Sequence, residues 1–362
     1  MTGREQQILA LIRGNPLISQ KSLGEQLGIS REAVANHIMN LTRKGYIRGK
    51  GYLLNDVLEV VVIGGCNLDI QGIPHKAGLK GDSLPGEVTM TPGGVGRNIS
   101  ENLARLGHQV RLISVVGDDD AGERLLTCTA EAGVDISSVH RLNNQRSPVY
   151  LSVLDAEHEL VQAINDMDQM NSLTPDVLAE QSSGLRQSQA IVVDANVSCE
   201  TLEYLFSRPQ LPAIFADCVS ASKAEKLKPW LSHIHCLKPN RMEASLLWGK
   251  AIETQEDLES CADWFHQQGV KQIFISLGEE GLFASNGERQ LNVIPTPVEV
   301  VSCSGAGDAL MAGLVHSHLN QFDLLQTANF AQACASLALE HHSTINPAIS
   351  AGMVQNKLRT VQ

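Results

Sequence analysis

At 362 residues, with 43% hydrophobic content, the chain can bury the core of a large α/β domain and still carry a small appendage. Its net charge of −12 hides an asymmetry, because residues 1–55 hold eight Lys/Arg against three acids, a balance of +5, while the remainder carries −17; two domains with different partners are expected. No run of about 18 apolar residues and no signal-peptide h-region occurs, which predicts a cytoplasmic protein with no membrane association, and eight cysteines without a C-x-x-C pair speak against a disulfide framework or a zinc site.

The chain opens on an amphipathic helix over residues 4–13 (Ile8, Leu9, Leu11, Ile12), stopped by Gly14-Asn15-Pro16. Ser19 is placed to cap a second helix whose apolar face is Leu23 and Leu27, and Gly28 to end it. Ser30 caps a third, running to about Arg43 with Val34, Ile38 and Leu41 inward. Helix, short turn, helix is the helix-turn-helix pattern, and residues 45–54 read as a hairpin with a basic tip. Residues 1–55 therefore resemble the winged helix-turn-helix domains of bacterial transcription regulators. On that resemblance Ser30, Arg31, Asn36 and His37 face a major groove and Arg43, Lys44, Arg48 and Lys50 contact phosphates, which makes double-stranded DNA a partner. The alternative is a dimerisation module whose charges are solvated.

From Leu58 the text changes to a β-branched apolar run, Val60-Val61-Val62-Ile63, typical of a strand buried on both faces. Further strands are expected at 110–116, 190–194, 213–216, 234–237 and 272–276, with helices between them. That alternation predicts a doubly wound, mostly parallel sheet whose ligands sit beyond the carboxyl ends of the strands. Asn67 and Asp69 follow the first strand. Thr91-Pro92-Gly93-Gly94-Val95-Gly96-Arg97-Asn98 precedes an apolar periodic segment, and alone it reads equally as a tight turn into a helix. Late in the chain, residues 298–301 read as a strand that turns through Gly305-Ala306-Gly307-Asp308 into a long apolar helix. A helix start with free N–H groups and no Cβ in the way favours an anion. Asp308 is then either a base beside that anion or a helix cap.

These motifs, with Leu237-Lys238-Pro239-Asn240-Arg241-Met242-Glu243 and Ser276-Leu277-Gly278, fall in the order and spacing of the ribokinase-like (PfkB) carbohydrate and nucleoside kinases. Ala163-Ile164-Asn165-Asp166-Met167 narrows the resemblance to bacterial pseudouridine kinases, over residues 58 to about 350; residues 56–362 are taken as the kinase domain. The resemblance implies a ribokinase-like fold with a small β lid built from about 69–91 and 147–164. It implies an ATP- and Mg²⁺-dependent kinase acting on the ribose 5′-hydroxyl of a nucleoside, pseudouridine foremost. Asp308 is then the general base, and Gly305, Ala306, Gly307 and Asp308 form the anion hole. Asn67, Asp69, Gly93, Gly94 and Asn98 hold the sugar, with Asn165 and Asp166 at the sugar or base. Ser276, Gly278 and Asn329 contact ATP, and Asn240 and Glu243 organise Mg²⁺ through water. The chain departs from ribokinase at the monovalent-cation loop, where Ser302 replaces an aspartate and residues 343–346 lack a glycine, leaving that dependence open. A homodimer through the lid is expected. Two other readings stand: a kinase of another nucleoside or free sugar, and a transcription regulator using the kinase-like body as a ligand sensor.

Overall fold

Val60–Ile63 is a strand in which every side chain is β-branched and buried, which is possible only at the centre of a sheet covered on both faces. The computed structural model places it there, and describes residues 1–15, 18–47, 58–77, 83–295 and 298–359. The chain divides into two units, Met1–Leu58 and Glu59–Gln362.

The first unit is built on helices Gly3–Gly14, Gln20–Leu27 and Arg31–Arg43, capped by Thr2, Ser19 and Ser30. Ile8, Ile12, Leu23, Val34 and Leu41 make its core. Gly28 closes the turn between the last two helices in the left-handed region, at φ 64°. Arg31, Asn36 and Arg43 are exposed and His37 is half-buried. Lys44 departs from the expectation that it meets a phosphate. Its ammonium lies 2.8 Å from both carboxylate oxygens of buried Glu5, which also accepts the Thr2 N–H at 2.7 Å. A buried carboxylate without a cation is costly, so Glu5 claims the nearest one. Arg48, Lys50 and the rest of the expected hairpin tip lie outside the described residues.

In the second unit thirteen strands are described. They are β1 (Val60–Ile63), β2 (Asn67–Pro74), β3 (Gly86–Gly93), β4 (Val110–Gly117), β5 (Asp135–Leu142), β6 (Val149–Leu154) and β7 (Leu160–Asp166), then β8 (Ala190–Asp194), β9 (Ala213–Asp217), β10 (Cys236–Lys238), β11 (Gln272–Ser276), β12 (Leu282–Ser285) and β13 (Gln290–Val293). The main sheet has the order β13-β12-β11-β10-β9-β8-β1-β4-β5 and is parallel except at its β11-β12-β13 edge. Strand order reverses at β1, which lies between β4 and β8, so the crevice for ligands opens at its carboxyl end. The remaining four strands form a separate sheet, β3-β2-β6-β7, beside that crevice. Residues 298–301 are not the expected strand. Val300 is 56% exposed, and the N–H groups of Val301 and Ser302 donate to the Leu339 carbonyl at the end of helix Leu324–Leu339. Their β-branched text suggested a strand, but the helix end offers the acceptor and no sheet edge does.

Helix Ala306–Leu319 runs through the core against helix Leu324–Leu339 and against Val95–Arg105. At its far end His316 stacks on Phe330, ring centroids 4.5 Å apart, with its Nδ1 2.8 Å from His108 Nε2; His108 Nδ1 in turn lies 3.1 Å from Glu59. Burial holds the His316 imidazole down to about 4, with the neighbouring His108 in the same direction. The unfolded chain therefore binds a proton that the fold does not between the ordinary histidine value of 6.5 and about 4, and stability on this account falls as pH drops through that window. Replacing His316 by Gln costs packing at pH 7, but the gap in melting temperature to the wild type should narrow as pH falls to about 5. A constant gap across that range contradicts the buried neutral imidazole.

Candidate active site

Asp308 is the third residue of helix Ala306–Leu319, whose cap is Gly305 at φ 80° with no side-chain cap bond. A Cβ at Gly305 would collide with the Thr344 carbonyl, so glycine is required both by conformation and by space. The Asp308 carboxylate is buried and does not cap its own helix. Its Oδ2 accepts from Asn98 Nδ2 at 2.8 Å. Burial pushes its carboxyl up to about 8, with the charge of Asp217 adding to the effect and the Asn98 bond and Lys238 opposing it. First-turn N–H groups of Ala306, Gly307 and Asp308 have no intrahelical acceptor and lie at the positive end of the dipole.

Lys238, at the end of β10, stands beside the expected anion site. A Cβ placed on Gly307 would meet its Nζ at 3.2 Å. The ammonium is buried and paired with Asp217 Oδ2 at 3.1 Å, which holds Lys238 above its ordinary value although burial works against it. Sequence reasoning passed over this lysine and over Asp217. Lys238 lay inside a quoted motif, but only the structure shows that the ends of β9 and β10 bring it to Gly307.

The side expected to hold the sugar is assembled by the second helix start. Gly94, at φ 101°, caps Val95–Arg105, and a Cβ there would stand 2.5 Å from the Gly65 carbonyl. Arg97 N donates to that same carbonyl at 2.9 Å. The Arg97 guanidinium pairs with buried Glu101 and donates to Asn98 Oδ1 at 3.2 Å, so the Asn98 amide is oriented with its nitrogen towards Asp308. Gly93 packs on the Asp69 carboxylate. Asn67 Nδ2 donates to Asp69 Oδ1 at 2.6 Å, and burial raises Asp69 to about 6.

Strand register sorts the lid residues. Thr91 pairs with Asp69, Asp69 with Tyr150 and Tyr150 with Asn165, so these four side chains share one face of the β3-β2-β6-β7 sheet. Asp166 belongs to the opposite face, with Leu68 and Val149, and its carboxylate lies 3.6 Å from Arg146. Adjacent strand residues point to opposite faces, so the pleat turns Asp166 away from the face that carries Asp69 and Asn165. Tyr150 enters that set unannounced; an aromatic in a lid strand carries no signal of its own.

On the other side of Gly307, Ser276, Gly278, Ala306, Leu310, Gln332 and Ser336 line a cleft of about 560 Å³. Asn329 is not among its walls and lines a second cavity of about 330 Å³. Asn329 shares a helix face with Gln332 and Ser336 but lies one and two turns nearer the start of helix Leu324–Leu339, and Gln332 borders both cavities. Asn240 and Glu243 form a capping box: Glu243 N donates to Asn240 Oδ1 and Asn240 N to Glu243 Oε2, both at 2.8 Å. One Glu243 carboxylate oxygen stays uncommitted, beside the Lys238–Asp217 pair. Among the described residues no group of three acids, histidines or cysteines could cage a metal. The donor set suits a Mg²⁺ held through water and phosphate oxygens, and does not suit a protein cage.

Residues 57–351 match the pfkB family carbohydrate kinase profile, and residues 1–48 match a winged helix-turn-helix DNA-binding profile. The chain is 42% identical over 352 residues to an uncharacterized sugar kinase of Escherichia coli K12, YeiI, covering 97% of each. It is 40% identical over 293 residues to the pseudouridine kinase of the same organism, covering 80% of this chain and 93% of that one. A solved carbohydrate kinase from Agrobacterium tumefaciens superposes at a TM-score of 0.72 with 27% identity, over 83% of this chain and 97% of that one. The chain belongs to the pfkB family of carbohydrate kinases. It has the ribokinase-like α/β fold with an N-terminal winged helix-turn-helix, and it is a sugar or nucleoside kinase.

The raised Asp308 carboxyl carries a stability cost with a defined sign. The folded chain keeps a proton there between 3.8 and about 8 that the unfolded chain loses, so stability falls as pH rises through that window. Asp308→Asn removes the penalty. Its melting temperature should gain on the wild type between pH 5 and pH 8, by about 2–4 °C per kcal/mol relieved; a difference that stays flat with pH contradicts the buried, reluctant carboxylate.

Proposed function

We propose that this kinase transfers the γ-phosphoryl group of ATP to the 5′-hydroxyl of a nucleoside, pseudouridine foremost. The observation that carries the reading is the Asp308 carboxylate, tethered by Asn98 and flanked by Lys238 at the open start of its helix. A sugar hydroxyl held by Asp69 and the Asn98 region stands beside Asp308, which takes its proton as the oxygen attacks phosphorus. A base whose carboxyl is raised to about 8 is well matched to that proton. Negative charge on the transferred group is met by the N–H groups of Gly305, Ala306, Gly307 and Asp308 and by the Lys238 ammonium, fixed before the reaction begins. Ser276 and Gly278 border the cleft that suits ATP. Mg²⁺, when bound, neutralises phosphate charge, and Glu243 with Asn240 would hold its water shell.

Pseudouridine is named because the relative at 40% identity bears that name and because Asn165 shares the lid face of Asp69. The outer lid face, with Val88, Met90, Val153 and Ile164 all exposed, supports a homodimer. The purified protein with ATP and Mg²⁺ should phosphorylate pseudouridine ahead of a panel of nucleosides and sugars. Asp308→Asn should lose about 10²–10⁴-fold in kcat. Wild-type turnover in that variant overturns the base assignment, and ligand-dependent DNA binding without any turnover favours the sensor.

The N-terminal unit supports a second proposal, that it binds double-stranded DNA. Arg31 and Asn36 are exposed on the helix that follows the turn. Binding to a duplex should weaken steeply between about 50 and 200 mM salt, and Arg31→Ala with Arg43→Ala should weaken it about tenfold further. Salt-independent binding contradicts the interface.

A further inference from the structure

Near Asp194 a lysine, Lys223, stands half-buried with no salt bridge to a carboxylate among the described residues. Lys223 Nζ donates to Asn196 Oδ1 at 2.6 Å, and no ion pair accompanies it among the described residues. Lysine 238 sits in the field of Asp217 and Asp308, whereas Lys223 sits in that of Asp194. Burial lowers Lys223 from its ordinary value, with Lys226 adding to the effect. A half-buried ammonium with donors to spare is costly unless something accepts from it.

Its surroundings are built. Lys226 Nζ fastens the loop by donating to the carbonyls of Ala195 and Val197 at 3.0 and 3.1 Å. Val219, between β9 and Lys223, is held at φ 63°, a conformation that a β-branched residue adopts only under constraint. Asn196 places the lysine relative to the sugar site. Its Nδ2 is 2.9 Å from where a Cβ on Gly65 would be, and Met167, where the lid chain leaves β7, is 3.3 Å from that point. Gly65 is the residue on which Gly94 packs and whose carbonyl holds Arg97. Past the carboxyl ends of β1 and β8 thus stand Gly65, which leads into β2 and Asp69, and Asn196, with Lys223 bonded to it.

We propose that Lys223, held on Asn196, recognises the heterocycle of the substrate by donating a hydrogen bond to a ring carbonyl oxygen. The proposal rests on the nucleoside reading above and deepens it by naming the base class, a heterocycle that bears a ring carbonyl, as a pyrimidinedione does. Lysine only donates, so the ligand must accept. Buried Asp194 next to it disfavours a second anion, which excludes a carboxylate or phosphate in favour of a neutral carbonyl. A base without carbonyls, such as adenine, leaves the ammonium with Asn196 as its one acceptor and is disfavoured.

The test compares wild type, Lys223→Met and Lys223→Arg on pseudouridine, adenosine and free ribose, with melting curves for each protein. Removing a hydrogen bond from a charged donor is expected to raise KM for pseudouridine about 10–100-fold with kcat changed less than about threefold. KM for ribose should move far less, and Lys223→Arg should restore part of the loss. Wild-type KM for pseudouridine in Lys223→Met overturns this assignment and leaves the nucleoside reading intact. Equal losses on pseudouridine and ribose also overturn it, since they mark a structural role. A wild type that phosphorylates ribose and no nucleoside overturns both.

Discussion

The hydrogen bond from Asn98 to Asp308 joins two helix starts that are 210 residues apart in the chain. Each start is opened by a glycine at positive φ, Gly94 and Gly305, although at the first the Arg97 N–H is already taken by the Gly65 carbonyl. The sheet supplies the distance between them, because strand order reverses at β1 and leaves the crevice at its carboxyl end. Everything chemical in the molecule is arranged about that bond. Arg97 turns the Asn98 amide, Lys238 and Asp217 set the local field, and Asp69 marks where a hydroxyl would lie.

Asp308 is also where stability and chemistry oppose each other. Burial in the first turn of a core helix makes its ionised form unfavourable, and the nearby Asp217 worsens it. A surface aspartate would be folded at less cost and, on the proposed mechanism, would be too weak a base. The compensation comes from the apolar remainder of that helix, in which every residue from Ala309 to Val315 is buried. Local strain sustained by a well-packed scaffold is the common condition of active sites.

Much of this was legible in the text. The buried strands β1, β4, β8, β9 and β11 announce themselves as apolar β-branched runs, and the three helices of the N-terminal unit by their caps Ser19 and Ser30 and their periodic leucines. The edge strands β13 and β5 were not foreseen, since half-exposed edges carry weaker patterns, nor was β12, which is buried throughout but only four residues long. Residues 298–301 show the converse, a β-branched text whose hydrogen-bond partner is a helix end. Site residues were legible where the motif was local, as at Gly305–Asp308, and not where register or tertiary approach decides. Asp166 looked like the twin of Asn165 until the pleat separated them. Lys238, Tyr150 and Lys223 have no local mark; only strands adjacent in space and distant in sequence bring them to the crevice.

The account stands most directly on the protonation of Asp308. The pH dependence of kcat/KM for phosphoryl transfer to pseudouridine, measured with ATP and Mg²⁺ saturating, tests it. It should rise about tenfold per pH unit below, and level off above, a value near 8 set by burial of that carboxyl. A profile that is flat from about pH 6 to 9, with the chemical step shown to limit turnover, contradicts the assignment of Asp308 as the group that takes the proton.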